Sequence, residues 1–178
     1  PGHPILAAAK QASRCTAGQR WSWDGVDFAV LRPLVDDYDR TLKSNAMSCV
    51  LRVSGGGRSA LLVGDIERDQ EAQLVAAQGD ALRSDVLVVP HHGSRTSSSR
   101  AFIEAVQPKI AVFQAGYRNR FGHPAPDVVE RYRSRGAAIV ASPACGAWQW
   151  LAAGPAEGRC ERDTGRRYWH YTETAAAG

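Results

Sequence analysis

A chain of 178 residues with 44% hydrophobic side chains is the size of one ordinary domain and apolar enough to bury a core, which excludes a disordered polypeptide. Lys and Arg exceed Asp and Glu by four and the pI is near 9.1, compatible with an anionic partner but too small an excess to demand one. No stretch approaches the roughly 18 apolar residues of a membrane span, and none has the pattern of a signal peptide.

The chain begins at Pro1, so it is expected to be a piece of something longer. Residues 1–20 are rich in Ala, Gly, Pro and Arg and are expected to be irregular, as is a tail over 153–178, leaving a domain over 21–152. Cys15, Cys49, Cys145 and Cys160 lie far apart, with no C-x-x-C pair and no histidine at zinc-finger spacing. One or two disulfides or buried free thiols are all open, and four cysteines allow three full pairings.

Within the domain, "WSWDG" (21–25) alternates like a strand edge before a turn, and "VDFAVLRP" (26–33) and "MSCVLRVS" (47–54) alternate apolar and polar residues as half-buried strands. The turn "GGGR" (55–58) leads into a buried strand "SALLVGD" (59–65). The pattern then switches to alternating elements. "ERDQEAQLVAAQ" (67–78) predicts an amphipathic helix with Leu74 and Val75 inward, and "DVLVVP" (85–90) the next strand. A second helix starts near Ser98, capped by the serine cluster, with Phe102, Ile103 and Val106 on its apolar face. Strand "KIAVFQAG" (109–116) and helix "PDVVERYRSRG" (126–136), stopped by Gly136, follow. "AAIVAS" and "GAWQWLA" read as a closing strand pair around a turn at Pro143 to Gly146. The order β-β-β-α-β-α-β-α-β-β is that of an α/β layered domain.

In such sheets ligands collect beyond the carboxyl ends of the strands. Three polar stretches fall there: "GDIE" (64–67), "PHHGS" (90–94) and "RNRFGHP" (118–124). Asp65 is a hard oxygen donor able to bridge two metal ions, or a cap for the following helix. His91 and His92 suit a transition metal or a proton shuttle, and the glycine after them frees the backbone to turn both toward one pocket. Ser94, Thr96, Ser97, Ser98 and Ser99 read as turn and cap residues that could also contact an anion. His123 lies in a loop fixed by Gly122 and Pro124, and Arg118 and Arg120 give that loop charge suited to phosphate. The pairs Trp21 with Trp23 and Trp148 with Trp150 read as packing or edge residues. No P-loop, G-x-S-x-G elbow or G-x-G-x-x-G fingerprint is present.

The stretches "NAMSCVLRV", "LLVGDIE", "DVLVVPHHGSRTSSSRAFIEAVQP", "GYRNRFGHP" and "GAWQW", in this order and spacing, closely resemble the C-terminal metallo-β-lactamase-like domain of ComEC-type DNA-internalisation competence proteins. The likeness runs from about Trp21 to Trp150. It implies an α/β fold, the C-terminal portion of an αββα sandwich with its metal site at one edge. It implies Asp65 as bridging carboxylate and His91 or His92 as the late histidine ligand; beside them His123 reads as a further catalytic group and phosphate contact. Ser94, Ser97, Arg118 and Arg120 would be substrate contacts, and Mn or Zn ions, two in a complete domain, the cofactor. The function implied is a metal-dependent nuclease acting on incoming DNA at the periplasmic face of the inner membrane, with the membrane channel of the parent protein as partner.

One departure qualifies the resemblance: the family's first ligand cluster, H-x-D-x-D-H, is absent from the chain, and His3 has no acidic neighbours to replace it. In a full domain that cluster would precede residue 1 together with the first half of the sandwich. The 178 residues alone are therefore expected to bind metal weakly or not at all and to lack nuclease activity, since two or three ligands fall short of a closed site. Two competing readings remain: a catalytically silent DNA-binding or assembly module of the uptake channel, and a metallo-enzyme of the same superfamily acting on another phosphodiester or an ester.

Overall fold

The computed structural model describes residues 4–9, 12–151, 154 and 158–165. His3 and most of the expected tail lie outside them. Helix α1 (Pro4–Ala8) occupies part of the segment expected to be irregular. Strands β1 (Arg20–Trp23), β2 (Val26–Arg32), β3 (Val50–Gly55) and β4 (Arg58–Leu62) then form an antiparallel meander. Its first turn is Asp24-Gly25 and its last is Gly56-Gly57, residues at positive φ where a reversal needs left-handed backbone.

After β4 the connections change character. Helix α2 (Arg68–Gln78) leads to β5 (Val86–Val88), α3 (Arg100–Val106) to β6 (Ile110–Phe113) and α4 (Pro126–Arg133) to β7 (Ala138–Ala141). Strands β4 to β7 are parallel neighbours, and the seven strands lie in chain order across one sheet. The three crossovers step in one direction, and all three helices pack against the same face of the sheet. The core follows that geometry. Leu61, Leu87, Ala111 and Phe113 point to the helices and pack with Leu74 of α2, Phe102, Ile103 and Val106 of α3, and Val128 and Tyr132 of α4. Alternate residues Val86, Ile110 and Val112 point the other way and form a smaller cluster with Ala60, Val140, Trp148 and Trp150.

The chain after β7 departs from the expected strand pair. Pro143 sits at the start of a short helix α5 (Ser142–Cys145), where its fixed φ and missing N–H favour a helical turn over a hairpin. Strand β8 (Trp148–Gln149) therefore pairs with β9 (Arg159–Cys160), ahead of α6 (Glu161–Thr164), and not with β7, whose neighbour is β6. The Cys145–Cys160 disulfide ties this small unit together, and a second disulfide, Cys15–Cys49, joins the N-terminal segment to the residue before β3. The cysteine pairing left open by the sequence is thus settled, with no free thiol. Among the described residues no helix is long and apolar enough to cross a membrane.

Candidate functional site

Four parallel strands deliver their carboxyl ends to one rim of the sheet, so the segments after β4, β5 and β6 meet there. Gly64 turns the chain at the end of β4 with φ +57°, and a Cβ there would lie 3.0 Å from Ser48 Cβ. The next amide, that of Asp65, donates to Ser48 Oγ (3.0 Å), which aims the half-exposed carboxylate along the rim. The carbonyl of Gly64 accepts from the amide of His91 (3.0 Å), joining the first rim segment to the second.

The histidine pair is not extended. His91 and His92 both adopt left-handed backbone, with φ 48° and 56°, and Gly93 follows at +81°. Left-handed conformations at two consecutive non-glycine residues are strained, and such strain concentrates at functional sites. The rings end 6.4 Å apart at 61°, facing different partners. His92 Nδ1 donates to the carbonyl of Gln114 (2.6 Å), leaving Nε2 3.4 Å from Asp65 Oδ1. In the neutral ring Nε2 carries a lone pair toward a carboxylate, so the two oppose each other unless a proton or a cation lies between them. A backbone carbonyl on the far nitrogen is the usual way a protein orients a metal-ligating histidine.

His91 takes a different setting. Its Nδ1 lies 3.2 Å from Glu67 Oε1 and 3.2 Å from Thr96 Oγ1, while Thr96 Oγ1 donates to Glu67 (2.9 Å). The His123 ring stands 5.9 Å from His91. Burial first, and the neighbouring His91 and His92 second, hold the His123 imidazole below the ordinary histidine range. Gly93 docks this third segment: its carbonyl accepts from the amide of Ala125 (2.9 Å), and a Cβ on it would lie 2.8 Å from both Phe113 and Pro124.

Asp65, His91, His92 and His123 are therefore gathered at one rim. The serines have another place. Ser97 is fully buried and its hydroxyl donates to the carbonyls of Pro90 and Ser94, while buried Ser94 bonds to Thr96 Oγ1 (3.1 Å). These two hydroxyls hold the turn, the capping alternative of the sequence reading. Arg118 and Arg120 are exposed on the third segment, with their guanidinium groups 5.2 Å and 4.9 Å from the Tyr117 and Phe121 rings.

Glu67, Gln114 and Asn119 were not singled out by the sequence. Asn119 Oδ1 accepts from the amides of Phe121 (3.1 Å) and His123 (3.0 Å), and its Nδ2 donates to the carbonyls of Gly116 and His123. An Asn between two arginines reads as solvent-facing, and only its place in a loop between two glycines hinted at such a clamp.

Asp65 and His92 offer one oxygen and one nitrogen donor of the types that bind Zn or Mn. Among the described residues no group of three or more His, Cys, Asp or Glu side chains converges on one point. The pair therefore fits part of a metal site, short of the three or four protein ligands such a site needs.

No protein-family model matches the chain. Among curated proteins it is 44% identical over 140 residues to competence protein ComA of Neisseria gonorrhoeae, covering 79% of this chain and 20% of that protein. It is 38% identical over 117 residues to recombination protein 2 of Haemophilus influenzae, covering 66% of this chain and 14% of that one. It is 37% identical over 105 residues to ComE operon protein 3 of Bacillus subtilis, covering 59% and 13%. The chain thus spans a fifth or less of these relatives. Among solved structures a metallo-β-lactamase-superfamily protein from Thermotoga maritima aligns with a TM-score of 0.42 at 15% identity, covering 69% of this chain and 68% of that one.

Proposed function

Because the chain is similar to competence proteins, spanning a fifth or less of each, we propose that it is the C-terminal part of a ComEC-type metal-dependent nuclease domain acting on incoming DNA during uptake. The observation that carries this reading is the opposition of His92 Nε2 and Asp65 Oδ1 at 3.4 Å, with His92 Nδ1 already committed to Gln114. Of the adjacent histidines, His92 is then the one that would hold a metal, with Asp65. The other ligands would come from an H-x-D-x-D-H cluster elsewhere in the parent protein. A bound Mn or Zn ion would lower the pKa of a coordinated water and clamp a scissile phosphate.

This chain's own contribution is positional. Gln114 orients His92, Ser48 aims Asp65, and Glu67 with Thr96 holds His91 beside His123. The placement of His91 and His123 suits contact with phosphate oxygens or with a leaving group. Two disulfides support an oxidising location, in keeping with the periplasmic face of an inner membrane and a channel in the same parent protein.

The test is cleavage of single- and double-stranded DNA with Mn²⁺ or Zn²⁺ by a longer protein that includes the upstream cluster, beside its Asp65→Ala variant. Metal-dependent cleavage lost in the variant is expected, with none from the 178 residues alone. Absence of cleavage in the longer protein, with both forms folded and bound equally to DNA, would replace the nuclease by a binding or assembly role.

A further inference from the structure

The loop after β6 carries a feature that the site's chemistry does not require. Tyr117 and Phe121 are 52% and 67% exposed, two large aromatic side chains at the surface beside the rim. Arg118 stands over the Tyr117 ring and Arg120 over the Phe121 ring, so one aromatic–guanidinium pair lies on each side of Asn119 along five consecutive residues. Among the described residues neither guanidinium has a carboxylate partner. Arg95, Arg131, Arg133 and Arg135 on the neighbouring elements are all ion-paired. The positive charge of the loop is thus uncompensated, unlike that of these four arginines.

Position and rigidity add to composition. The Phe121 ring lies 5.9 Å from that of His123 and within 20° of parallel to it, and the His123 ring is 5.9 Å from that of His91. An exposed aromatic face therefore stands one ring away from the gathered imidazoles. The four hydrogen bonds of the Asn119 amide hold the loop in this shape, so little ordering accompanies binding.

A ring that stacks on a base and cations that follow its phosphates are what an unpaired strand offers contacts to, because its bases have free π faces. In a duplex those faces are covered by neighbouring base pairs, and only the phosphate contacts remain. We infer that the loop of Tyr117 to Phe121 is a base-stacking platform, with Phe121 as its anchor and Arg118 and Arg120 as phosphate contacts, which makes the site selective for single-stranded nucleic acid. This rests on the reading of the rim as a nucleic-acid site, but it concerns binding and requires no metal.

The experiment uses the 178-residue chain, without added metal, and a short single-stranded DNA containing 2-aminopurine, beside the same DNA as a duplex. Anisotropy reads affinity and 2-aminopurine emission reads stacking. Tighter binding of the single strand with quenched emission is expected. Phe121→Ala should weaken binding by about 5- to 150-fold and abolish the quench, the range that removal of one stacked base contact produces, while Phe121→Trp should retain both. Arg118→Gln with Arg120→Gln should lower the salt dependence by about one to two counterions and leave the quench in place. The inference is overturned if Phe121→Ala keeps wild-type affinity and quench, if duplex binds as tightly as single strand, or if no DNA is bound. Cleavage by the longer protein that survives Phe121→Ala on both substrates would remove the platform and leave the nuclease reading standing. Failure of cleavage with the stacking signature intact would do the reverse.

Discussion

The amide of His91 donates to the carbonyl of Gly64 across 3.0 Å, which joins the ends of two parallel strands immediately before Asp65 on one and at the start of the His-His turn on the other. The carboxylate and imidazole that face each other at this rim are thus fixed by backbone, and each depends on a glycine.

Gly64 and Gly93 should both resist substitution, for different reasons. At Gly64 an alanine would take a left-handed φ and press on Ser48, whose side chain can shift, so a loss of about 1–3 kcal/mol is expected. At Gly93 the added Cβ would meet buried Phe113 and the ring of partly buried Pro124 at 2.8 Å, adding an overpacking cost of about 1–3 kcal/mol to the backbone strain. Urea unfolding of the two alanine variants should rank Gly93→Ala as the more damaging. The reverse order would mean that Phe113 and Pro124 can move aside.

Glu71 is fully buried in α2 and accepts from the amides of Ser98 and Ser99 (2.8 Å to the latter), satisfying the backbone that enters α3. Gln at this position would turn one acceptor into a donor facing an N–H, and a loss of about 2–3 kcal/mol is expected from the charged hydrogen bond and the unsatisfied group. Glu71→Ala should cost at least as much. Amide exchange at Ser98 and Ser99 would locate the effect: faster exchange confined to this turn is expected, and unchanged protection would refute the assignment.

Much of this architecture is legible in the amino-acid sequence. Leu74, Phe102, Ile103 and Val106 betrayed their helices by spacing, and the polar stretches carrying Asp65, His92 and His123 could be assigned to strand ends that parallel topology must bring together. What stayed hidden is non-local or conformational. A carboxylate such as Glu71, in a helix otherwise full of charge, reads as solvated until its partners 27 and 28 residues away are known. The left-handed turn at His91 and His92 contradicts residue preference and depends on contacts with Gly64 and Gln114. Strand β9 has only two residues, too few for any period, and is placed by a cysteine partner.

Asp85 gives the protein a predictable response to acid. Burial pushes its carboxyl up, but the hydrogen bond and charge of Lys109 and the amide of Ser59, both at 2.8 Å, outweigh burial and hold it below the ordinary carboxylate range. Folding thus favours the charged form. Its contribution is present above the unfolded carboxylate value of about 4 and is lost as pH falls through the lower folded value. Asp85→Asn should lower stability at pH near 7 and flatten the decline that sets in as pH falls below the unfolded carboxylate value. Urea titrations of the two proteins across that range would show converging stabilities, and parallel curves would rule the contribution out.

The tautomer of His92 can be read directly. Because Gln114 offers only a carbonyl oxygen at 2.6 Å, Nδ1 must carry the proton in the neutral ring, and Nε2 is then the nitrogen left to accept. Free histidine in water favours the opposite tautomer, so the two cases are distinguishable. Long-range ¹⁵N–¹H correlation at a pH where the ring is neutral should show a pyrrole-like Nδ1 and a pyridine-like Nε2. Addition of Zn²⁺ to the longer protein should shift the Nε2 signal and leave Nδ1 protonated, since Nε2 faces Asp65. A pyridine-like Nδ1 would mean that the Gln114 contact does not persist in solution, and His91 would then become the better candidate for the histidine ligand.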